Sequence, residues 1–323
     1  MNDIRVAVIL PAYNESLTIV GVILDFAKVL PEAKIIIVDN NSSDDTFELA
    51  QSTILEKNIE GKVLFEPYQG KGFAVRKAFT EIDADIYVLV DADLTYLAKD
   101  VHKLIQPVVE LRADMVVGDR HSGDHYQKEN QRNFHVFGNK LVKNMINFLF
   151  GSKLNDIMSG FRVLNKKFVK NYPIMSDGFE LETNMTLHCL NKRFRIMELP
   201  IDYVERPSGS FSKLNTFSDG FKQITTIINI FRIYKPLRFY GILFIFFATL
   251  SLLAAYPVIS DWIVHKYIYH IPLAILSTGL GMVSILSLSL GLILDAITHQ
   301  YNVDYEHKIL KQEARQTKKQ NYL

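Results

Sequence analysis

The chain has 323 residues, and its 36 Lys and Arg residues almost balance its 35 Asp and Glu residues, giving a formal net charge of +1. This balance gives no support for a nucleic-acid partner, because phosphate backbones are bound through an excess of positive charge. The length fits one large domain or one domain with an appendage, and the single cysteine, Cys189, excludes a disulfide within the chain.

The first predicted strand, residues 6–10, is an apolar run that leads into a polar loop at 11–15 and then into a helix. The loop lacks the Gly-x-Gly-x-x-Gly and Walker patterns, which counts against a dinucleotide site and a P-loop ATPase. In this loop the Tyr13 ring could stack on a base, and the Glu15 carboxylate could accept from ribose hydroxyls. The alternative is a turn begun by proline, with an acid that the helix dipole favours.

Two further segments point to a nucleotide ligand. Asp39 follows the apolar run 35–38 and stands at the strand end rather than at the helix start, so its carboxylate could accept from the ring N–H of uracil or guanine. A glycine-flanked basic turn at 70–72 then enters a helix. Glycine permits close backbone approach, and the helix N-terminus with Lys71 and Arg76 favours a diphosphate.

The β-branched apolar run 87–90 predicts a buried parallel strand, and it ends in Asp91 and Asp93. Open α/β sheets bind ligands at the carboxyl ends of such strands. Two acids at that edge cost free energy unless a cation compensates them, and Mg²⁺ or Mn²⁺ bound together with substrate phosphates would do so. The alternative is a pair of solvated turn acids.

Seven motifs follow one another along the chain. They are Pro-Ala-Tyr-Asn-Glu at 11–15, Val-Asp-Asn-Asn-Ser-Ser-Asp-Asp-Thr at 38–46, Gly-Lys-Gly at 70–72, Asp-Ala-Asp-Leu at 91–94, Asp-Ile-Met-Ser-Gly-Phe-Arg at 156–162, Phe-Glu-Leu-Glu at 179–182 and Arg-Pro-Ser-Gly-Ser-Phe-Ser-Lys-Leu at 206–214. In this order they resemble the inverting family 2 glycosyltransferases. The last three resemble the polyprenyl-phosphate branch, which includes dolichyl-phosphate mannose synthase and undecaprenyl-phosphate glucosyltransferases.

The resemblance implies a GT-A (Rossmann-like) α/β fold, with a mixed, mostly parallel sheet and helices on both faces. It also implies site residues, and each set has one role. The nucleotide sugar would be bound by Pro11, Tyr13, Glu15, Asp39, Lys71 and Asp91, the metal by Asp91 and Asp93, and the acceptor phosphate by Arg120, Arg132, Arg206 and Lys213; Asp156 and Glu182 match active-site acids.

The chain departs from the family pattern at three positions. Asn40 and Asn41 stand where many members have Asp and Gly. Thr95 stands where dolichyl-phosphate mannose synthases have Gln beside the metal, which leaves a third protein ligand open. With a phosphate acceptor, Asp156 and Glu182 are expected to orient cationic residues or the sugar rather than to act as a general base.

Two uncharged runs, residues 239–260 and 271–294, are long enough to span a membrane as a C-terminal hairpin. We therefore expect a glycosyltransferase domain at 1–212, an amphipathic juxtamembrane region at 213–238, the spans within 239–297 and a basic tail at 298–323. Basic residues precede the first span and follow the second, whereas the connection between the spans has one lysine. The sequence also shows no signal-peptide pattern. Both termini and the catalytic domain are thus predicted to be cytoplasmic, at the cell membrane. Small residues at four-residue spacing would allow close helix packing or a homo-oligomer.

The predicted reaction moves a sugar, with inversion, from a UDP- or GDP-linked donor to polyprenyl (undecaprenyl) phosphate, with Mg²⁺ or Mn²⁺ as cofactor. The alternatives are another lipid or a polysaccharide acceptor, and an inactive membrane-anchored scaffold. A processive polysaccharide synthase is disfavoured, because two spans are too few to line a channel. The Gln-x-x-Arg-Trp signature is also absent, since Trp262 is the only tryptophan.

Overall fold

The computed structural model describes residues 4–122, 133–174, 180–207, 225 and 228–321, with the backbone alone for 133–139 and 312–321. The chain forms two compact units, Met1–Gly220 and Phe221–Leu323. The first contains the sheet and the candidate site, and the second contains the apolar helices.

One sheet of seven strands organises the described part of the first unit. Its strands are β1 (Val6–Ala12), β2 (Lys34–Asp39), β3 (Gly61–Phe65), β4 (Ile86–Leu89), β5 (Met115–Asp119), β6 (Arg162–Asn165) and β7 (Ile196–Pro200). The order across the sheet is β3-β2-β1-β4-β6-β5-β7. Neighbours are parallel, except that β6 runs antiparallel to β4 and β5. This mixed, mostly parallel sheet confirms the predicted GT-A-like α/β fold.

Helices connect the strands. They are α1 (Ile19–Val29), α2 (Thr46–Glu56), α3 (Lys71–Glu81), α4 (Val101–Val109), α5 (Asn133–Phe150), α6 (Lys166–Asn171) and α7 (Leu181–Asn191). In α1, the buried residues Ile19, Ile23 and Phe26 recur at helical spacing and join Val8 and Leu10 of β1 in the main hydrophobic core. The apolar face that the sequence displays is therefore the face that packs into the core.

The carboxyl ends of the parallel strands meet at one edge of the sheet. After β1 the chain continues to β2 on one side of the sheet, and after β4 it continues to the strands on the other side. The connections after β1 and β4 therefore leave in opposite directions, and a crevice opens between these two neighbouring strands. Because β6 is antiparallel, its first residue, Arg162, pairs with Leu89 at the end of β4. The loop before β6 therefore reaches the same edge as the loops after the parallel strands.

In the second unit, α8 (Pro236–His265) and α9 (Ile271–Asn321) contain the two predicted spans. Both helices are long and apolar enough to cross a membrane, by length and composition. The helix α9 also continues through the described part of the predicted basic tail. In the predicted juxtamembrane region, residues 228–234 are helical, whereas 213–224 and 226–227 lie outside the described residues.

Small residues of α9 face α8. A Cβ atom on Gly291 would lie 2.9 Å from the Cβ of Tyr240, and one on Gly281 would lie 3.3 Å from the Ser251 hydroxyl oxygen. The Ser251 hydroxyl also donates a 2.7 Å hydrogen bond to the Ser277 carbonyl. The small residues thus serve packing within the hairpin, as predicted for close helix packing, and the homo-oligomer stays a prediction.

Candidate active site

The loops that follow β1 and β2 are joined by hydrogen bonds. Asn14 has a φ of 52°, a left-handed conformation that asparagine tolerates, and its N–H donates to the Ser42 hydroxyl at 2.9 Å. The Glu15 N–H donates to the Thr46 hydroxyl at 2.9 Å. These bonds fix the backbone on which the partly buried side chains of Tyr13 and Glu15 stand.

Asp39 is the last residue of β2 and is 1% exposed. Its Oδ2 accepts a 3.3 Å hydrogen bond from the Ser42 N–H. Its Oδ1 is buried and has no hydrogen-bond partner among the described residues. A buried acceptor without a donor costs free energy, so Asp39 retains a strong preference for a donor supplied by a ligand.

The two asparagines that depart from the family pattern have physical explanations. The Asn40 amide donates to the Tyr68 carbonyl at 2.6 Å, and its Oδ1 accepts from the Gly70 N–H at 2.7 Å. A carboxylate at this position could not donate the first of these bonds. Asn41 has a φ of 60°, which glycine and asparagine adopt most readily. Asn40 therefore holds the loop that ends at Lys71, the first residue of α3.

Lys71 joins two predicted site acids. Its ammonium forms hydrogen-bonded ion pairs with Asp91 and with Glu182, which lies in the first turn of α7. Burial alone would lower the pKa of Lys71, but the charges of Asp91 and Glu182 outweigh it and raise that pKa. The Lys71 side chain therefore places a positive charge beside Asp91, just after the end of β4.

Asp93 is buried beside Asp91, and three groups define the surroundings of this pair. The Thr95 hydroxyl donates a 2.6 Å hydrogen bond to Asp93, and Arg206 forms a 2.5 Å ion pair with the same carboxylate. Gly160 faces Asp91 closely: a Cβ on Gly160 would lie 2.4 Å from the Asp91 Oδ2. The position of the Asp91 carboxylate thus depends on the absence of a side chain at residue 160.

The two carboxylates suit a hard divalent cation. Burial, and then the charge of Asp91, raise the pKa of Asp93 above its ordinary value. A divalent cation would remove this mutual penalty, and carboxylate oxygens are its preferred ligands. Among the described residues, no three His, Cys, Asp or Glu side chains lie close enough to hold a metal ion by themselves. The donor set therefore fits Mg²⁺ or Mn²⁺ that takes its remaining ligands from phosphates and water.

A second charged pair lies beyond β5. The Arg120 guanidinium forms two hydrogen bonds to Asp156, from Nε at 2.7 Å and from Nη2 at 2.9 Å, and the Arg120 N–H adds a third at 3.1 Å. Burial alone would raise the pKa of Asp156, but the charge and hydrogen bonds of Arg120 hold it below its ordinary value. The Arg120 guanidinium also lies 5.4 Å above the Tyr203 ring.

Sequence reasoning missed residues that support these pairs. The Tyr96 hydroxyl accepts from the Gly160 N–H at 2.9 Å, and the Tyr96 and Tyr203 rings pack edge to face at 5.3 Å. Arg162 is fully buried and donates to the Ile157 and Ser159 carbonyls. The signal for Arg162 was its place at the end of the 156–162 motif; the two tyrosines look like ordinary core aromatics in the sequence.

Most predicted site residues come together at the carboxyl edge of the sheet. The described ones are Pro11 within β1, Tyr13 and Glu15 after it, Asp39 at the end of β2, Lys71 at the start of α3, Asp91 and Asp93 after β4, Arg120 after β5, Asp156 before β6, Glu182 in α7 and Arg206 after β7. Arg132 and Lys213 lie outside the described residues, so their assignment to an acceptor phosphate stays a prediction.

Comparison with known proteins identifies the family. Residues 7–172, half of the chain, match the family described as Glycosyl transferase family 2. The chain belongs to this family. The predicted glycosyltransferase identity is thereby confirmed.

Similarity to individual proteins extends beyond residues 7–172. Glycosyltransferase AglJ of Haloferax volcanii is 29% identical over 293 residues, which are 90% of this chain and 93% of that protein. Polyprenol monophosphomannose synthase of Mycolicibacterium smegmatis is 25% identical over 213 residues, covering 64% of this chain and 79% of the relative.

A solved structure shares the fold of this glycosyltransferase. Glucosyl-3-phosphoglycerate synthase from Mycobacterium tuberculosis, in complex with Mn²⁺, UDP and phosphoglyceric acid, superposes with a TM-score of 0.56 at 18% identity. The match covers 71% of this chain and 78% of that one.

Proposed function

We propose that this glycosyltransferase moves a sugar from a nucleoside-diphosphate sugar to a polyprenyl phosphate, with inversion at the anomeric carbon, and that Mg²⁺ or Mn²⁺ assists. The observation that carries the proposal is the grouping of Asp91, Asp93, Lys71 and an arginine–carboxylate pair at one sheet edge. That edge would have to hold a diphosphate and an acceptor phosphate at once.

On the donor side, the unpaired Oδ1 of Asp39 supports recognition of a base that carries a ring N–H. Both uracil and guanine have such a group, so the proposal includes UDP- and GDP-sugars. Tyr13, Glu15 and the backbone at Pro11 would hold the nucleoside, and Lys71 at the N-terminus of α3 would bind the diphosphate. The solved neighbour that holds UDP supports the uridine alternative for the donor.

Asp91 and Asp93 would hold the metal ion, and the presence of Mn²⁺ in the solved neighbour supports this role. The bound ion supplies positive charge that stabilises the nucleoside diphosphate as it leaves. Thr95 orients the Asp93 carboxylate through its 2.6 Å hydrogen bond. Arg206 forms an ion pair with Asp93. Its guanidinium can neutralise this carboxylate, bind the acceptor phosphate, or do each in turn.

On the acceptor side, a phosphate monoester has a second pKa of ~6 and is already anionic near neutral pH. An acceptor oxygen can therefore attack the anomeric carbon directly while the bond to the leaving diphosphate breaks. What the site must supply is positive charge in a fixed position, and Arg120 is the described residue best suited to this task. Asp156 would orient Arg120, and Glu182 would orient Lys71, rather than act as general bases.

The lipid part of the acceptor explains the apolar helices. Two helices that can span a membrane would keep the enzyme where polyprenyl phosphates reside, and the basic residues that flank them favour a cytoplasmic catalytic domain. The relative named polyprenol monophosphomannose synthase supports a polyprenyl acceptor. Another lipid acceptor is the second candidate, because helices long and apolar enough to cross a membrane suit any lipid acceptor.

Donor binding is tested by calorimetry of the purified protein with UDP- and GDP-sugars, with Mn²⁺ or with EDTA. One donor should bind only with metal, and Asp91→Asn or Asp93→Asn should weaken that binding at least about 100-fold. Asp100→Asn is the matched control, because Asp100 is buried but bonds to the Asp202 N–H and to Lys103 instead of facing Asp91. Metal-independent binding that survives both substitutions would contradict the proposed metal site.

A further inference from the structure

A half-buried carboxylate on the edge strand β7 contacts the loop that carries Asp156. The two oxygens of Glu198 accept from successive backbone N–H groups, that of Asn155 at 2.6 Å and that of Asp156 at 2.8 Å. Glu198 thereby fixes the peptide plane from which the Asp156 side chain extends. The Asp156 carboxylate in turn accepts three hydrogen bonds from Arg120.

The sheet explains why this contact is rigid. The strands β5 and β7 are parallel neighbours, with Val117 opposite Glu198 and Asp119 opposite Pro200. Arg120 follows β5 directly, and Glu198 lies in the neighbouring strand β7. The Asn155–Asp156 segment forms hydrogen bonds to both residues. The connection therefore runs from β7 to the residue after β5 through two successive residues of this loop.

The Glu198 carboxylate matches this task chemically. A carboxylate presents two acceptor oxygens and can serve two neighbouring N–H groups at once, whereas an amide presents one acceptor and one NH₂ donor. The bonds are charge-assisted, which makes them stronger than neutral ones. Burial raises the pKa of Glu198, and the N–H groups of Asn155 and Asp156 oppose that effect.

We infer that Glu198 is a positioning residue for the acceptor: through Asp156 it sets the direction of the Arg120 guanidinium that receives the lipid phosphate. This inference rests on the proposed function and adds to it a residue that touches neither substrate. It distinguishes the acceptor side of the site from the donor side. Within the part of the chain that the structure describes, the Glu198 carboxylate bonds to Asn155 and Asp156 and not to Lys71, Asp91 or Asp93.

The test is the kinetics of sugar transfer to polyprenyl phosphate by the full-length protein in detergent. Glu198→Gln should raise the KM for polyprenyl phosphate at least about tenfold, the equivalent of one charge-assisted hydrogen bond. The calorimetric affinity for the donor should remain that of the wild type. Glu198→Asp keeps both oxygens on a shorter stem and should restore part of the lost affinity.

Asp114→Asn is the matched control. Asp114 is buried, whereas Glu198 is half-buried, and it likewise accepts from a backbone N–H, that of Arg195 at 2.8 Å, so it links the β5 and β7 segments at the opposite, amino edge of the sheet. Both substitutions should lower the melting temperature, but only Glu198→Gln should change the KM for the lipid. The double variant Glu198→Gln/Asp156→Asn should be no worse than Asp156→Asn alone, because both changes act on the same guanidinium.

Two results would overturn the inference, and they are distinguishable. If the wild type transfers sugar to polyprenyl phosphate and Glu198→Gln behaves as Asp114→Asn does, the positioning role is wrong while the proposed function stands. If the wild type gives no lipid product with any donor, the proposed function fails and the inference falls with it. Should Glu198→Gln not fold, the same comparison is made with Glu198→Ala, which removes both acceptor oxygens and whose unchanged lipid KM would also contradict the role.

Discussion

Gly160 shows how one residue can control the candidate metal site. Its Cα faces Asp91 so closely that a Cβ would lie 2.4 Å from Oδ2 and 2.9 Å from Cγ. Gly160→Ala should therefore push the Asp91 carboxylate aside and weaken metal-dependent donor binding at least about tenfold. Calorimetry with the active donor and Mn²⁺ measures this effect.

The control for Gly160 is Gly241→Ala, because a Cβ on Gly241 meets nothing within 4 Å. This variant should bind the donor as the wild type does. Unchanged donor binding by Gly160→Ala would mean that the Asp91 carboxylate does not hold the metal in the orientation described.

His188 should make the stability of the protein depend on pH. It lies among the rings of Phe168, Tyr172 and Phe194, and burial, with a smaller effect of Lys192, lowers its pKa to about 4. An unfolded histidine has a pKa of ~6.5, so the unfolded chain binds the proton first. The free energy of unfolding should therefore be highest above pH ~6.5 and should fall by up to about 3 kcal/mol as the pH decreases towards 4.

Melting temperatures between pH 4.5 and 7.5 test this prediction. His188→Phe removes the titrating group, so its melting temperature should fall less steeply below pH ~6.5 than that of the wild type. His102→Gln replaces an exposed histidine and should retain the wild-type slope. Equal slopes in all three proteins would show that His188 does not cause the pH dependence.

At the residue scale, the sequence predicted the charged groups of the site and missed their supports. Asp91, Asp93 and Asp39 could be found because each follows an apolar run, and such runs end at the ligand-binding edge. Glu198 stands within a strand, and its function comes from a loop more than forty positions away in the chain. Contacts of this kind depend on tertiary structure and leave no local pattern.

At the element scale, Arg162 connects β6 with its surroundings. It is fully buried and donates to two loop carbonyls and, at 3.0 Å, to the Thr186 hydroxyl of α7. Arg162→Met leaves these acceptors without a donor and should destabilise the protein by about 3 kcal/mol or more. Arg195→Met is the control, because the Arg195 side chain is 56% exposed and surface ion pairs contribute about 1 kcal/mol or less.

Chemical denaturation of these two variants provides the measurement. Because the same loop carries Gly160, Arg162→Met should also weaken donor binding, whereas Arg195→Met should not. Equal free energies of unfolding for the two variants would show that the buried hydrogen bonds of Arg162 do not stabilise the fold more than the exposed Arg195 ion pair.

The sequence did not predict two elements, the strand β6 and the helix α5, whose segment looked irregular in the sequence. The strand β6 has four residues, begins with an arginine and runs antiparallel between β4 and β5. Four residues carry too little alternation to distinguish a strand from a loop, and a charged first residue is not typical of a buried strand. The long apolar runs of β1, β2 and β4 were predicted because burial on both faces makes such strands apolar throughout.

The packing of α9 on α8 gives a second prediction at the element scale. Gly291→Leu should separate the helices, since even a Cβ would lie 2.9 Å from that of Tyr240, and overpacking of this kind costs about 1–3 kcal/mol. Gly279→Leu should cost less, because a Cβ on Gly279 meets nothing within 4 Å. The fluorescence of Trp262, the only tryptophan of the chain and part of α8, can follow unfolding of the hairpin in detergent. Equal unfolding midpoints would contradict the assigned helix interface.

At the scale of the whole molecule, the sequence predicted a GT-A-like unit followed by apolar helices, and the structure has both. Long-range features were accessible here because the motifs occur in a fixed order and the apolar runs are long. The division at residue 212, the orientation in the membrane and the homo-oligomer stay predictions. The boundary at residue 212 lies outside the described residues. The orientation and the homo-oligomer depend on partners, either lipid or a second chain, that the folding of a single chain does not specify.

We propose that the charged sheet edge transfers a sugar to a lipid phosphate. The most direct measurement incubates purified protein with undecaprenyl phosphate, Mn²⁺ or Mg²⁺ and a panel of UDP- and GDP-sugars, and identifies the lipid product by mass spectrometry. We predict that one donor yields a polyprenyl-phosphate monosaccharide, and that EDTA or Asp91→Asn abolishes it. Free nucleoside diphosphate without a glycosylated lipid, from a donor that binds with metal, would contradict the account.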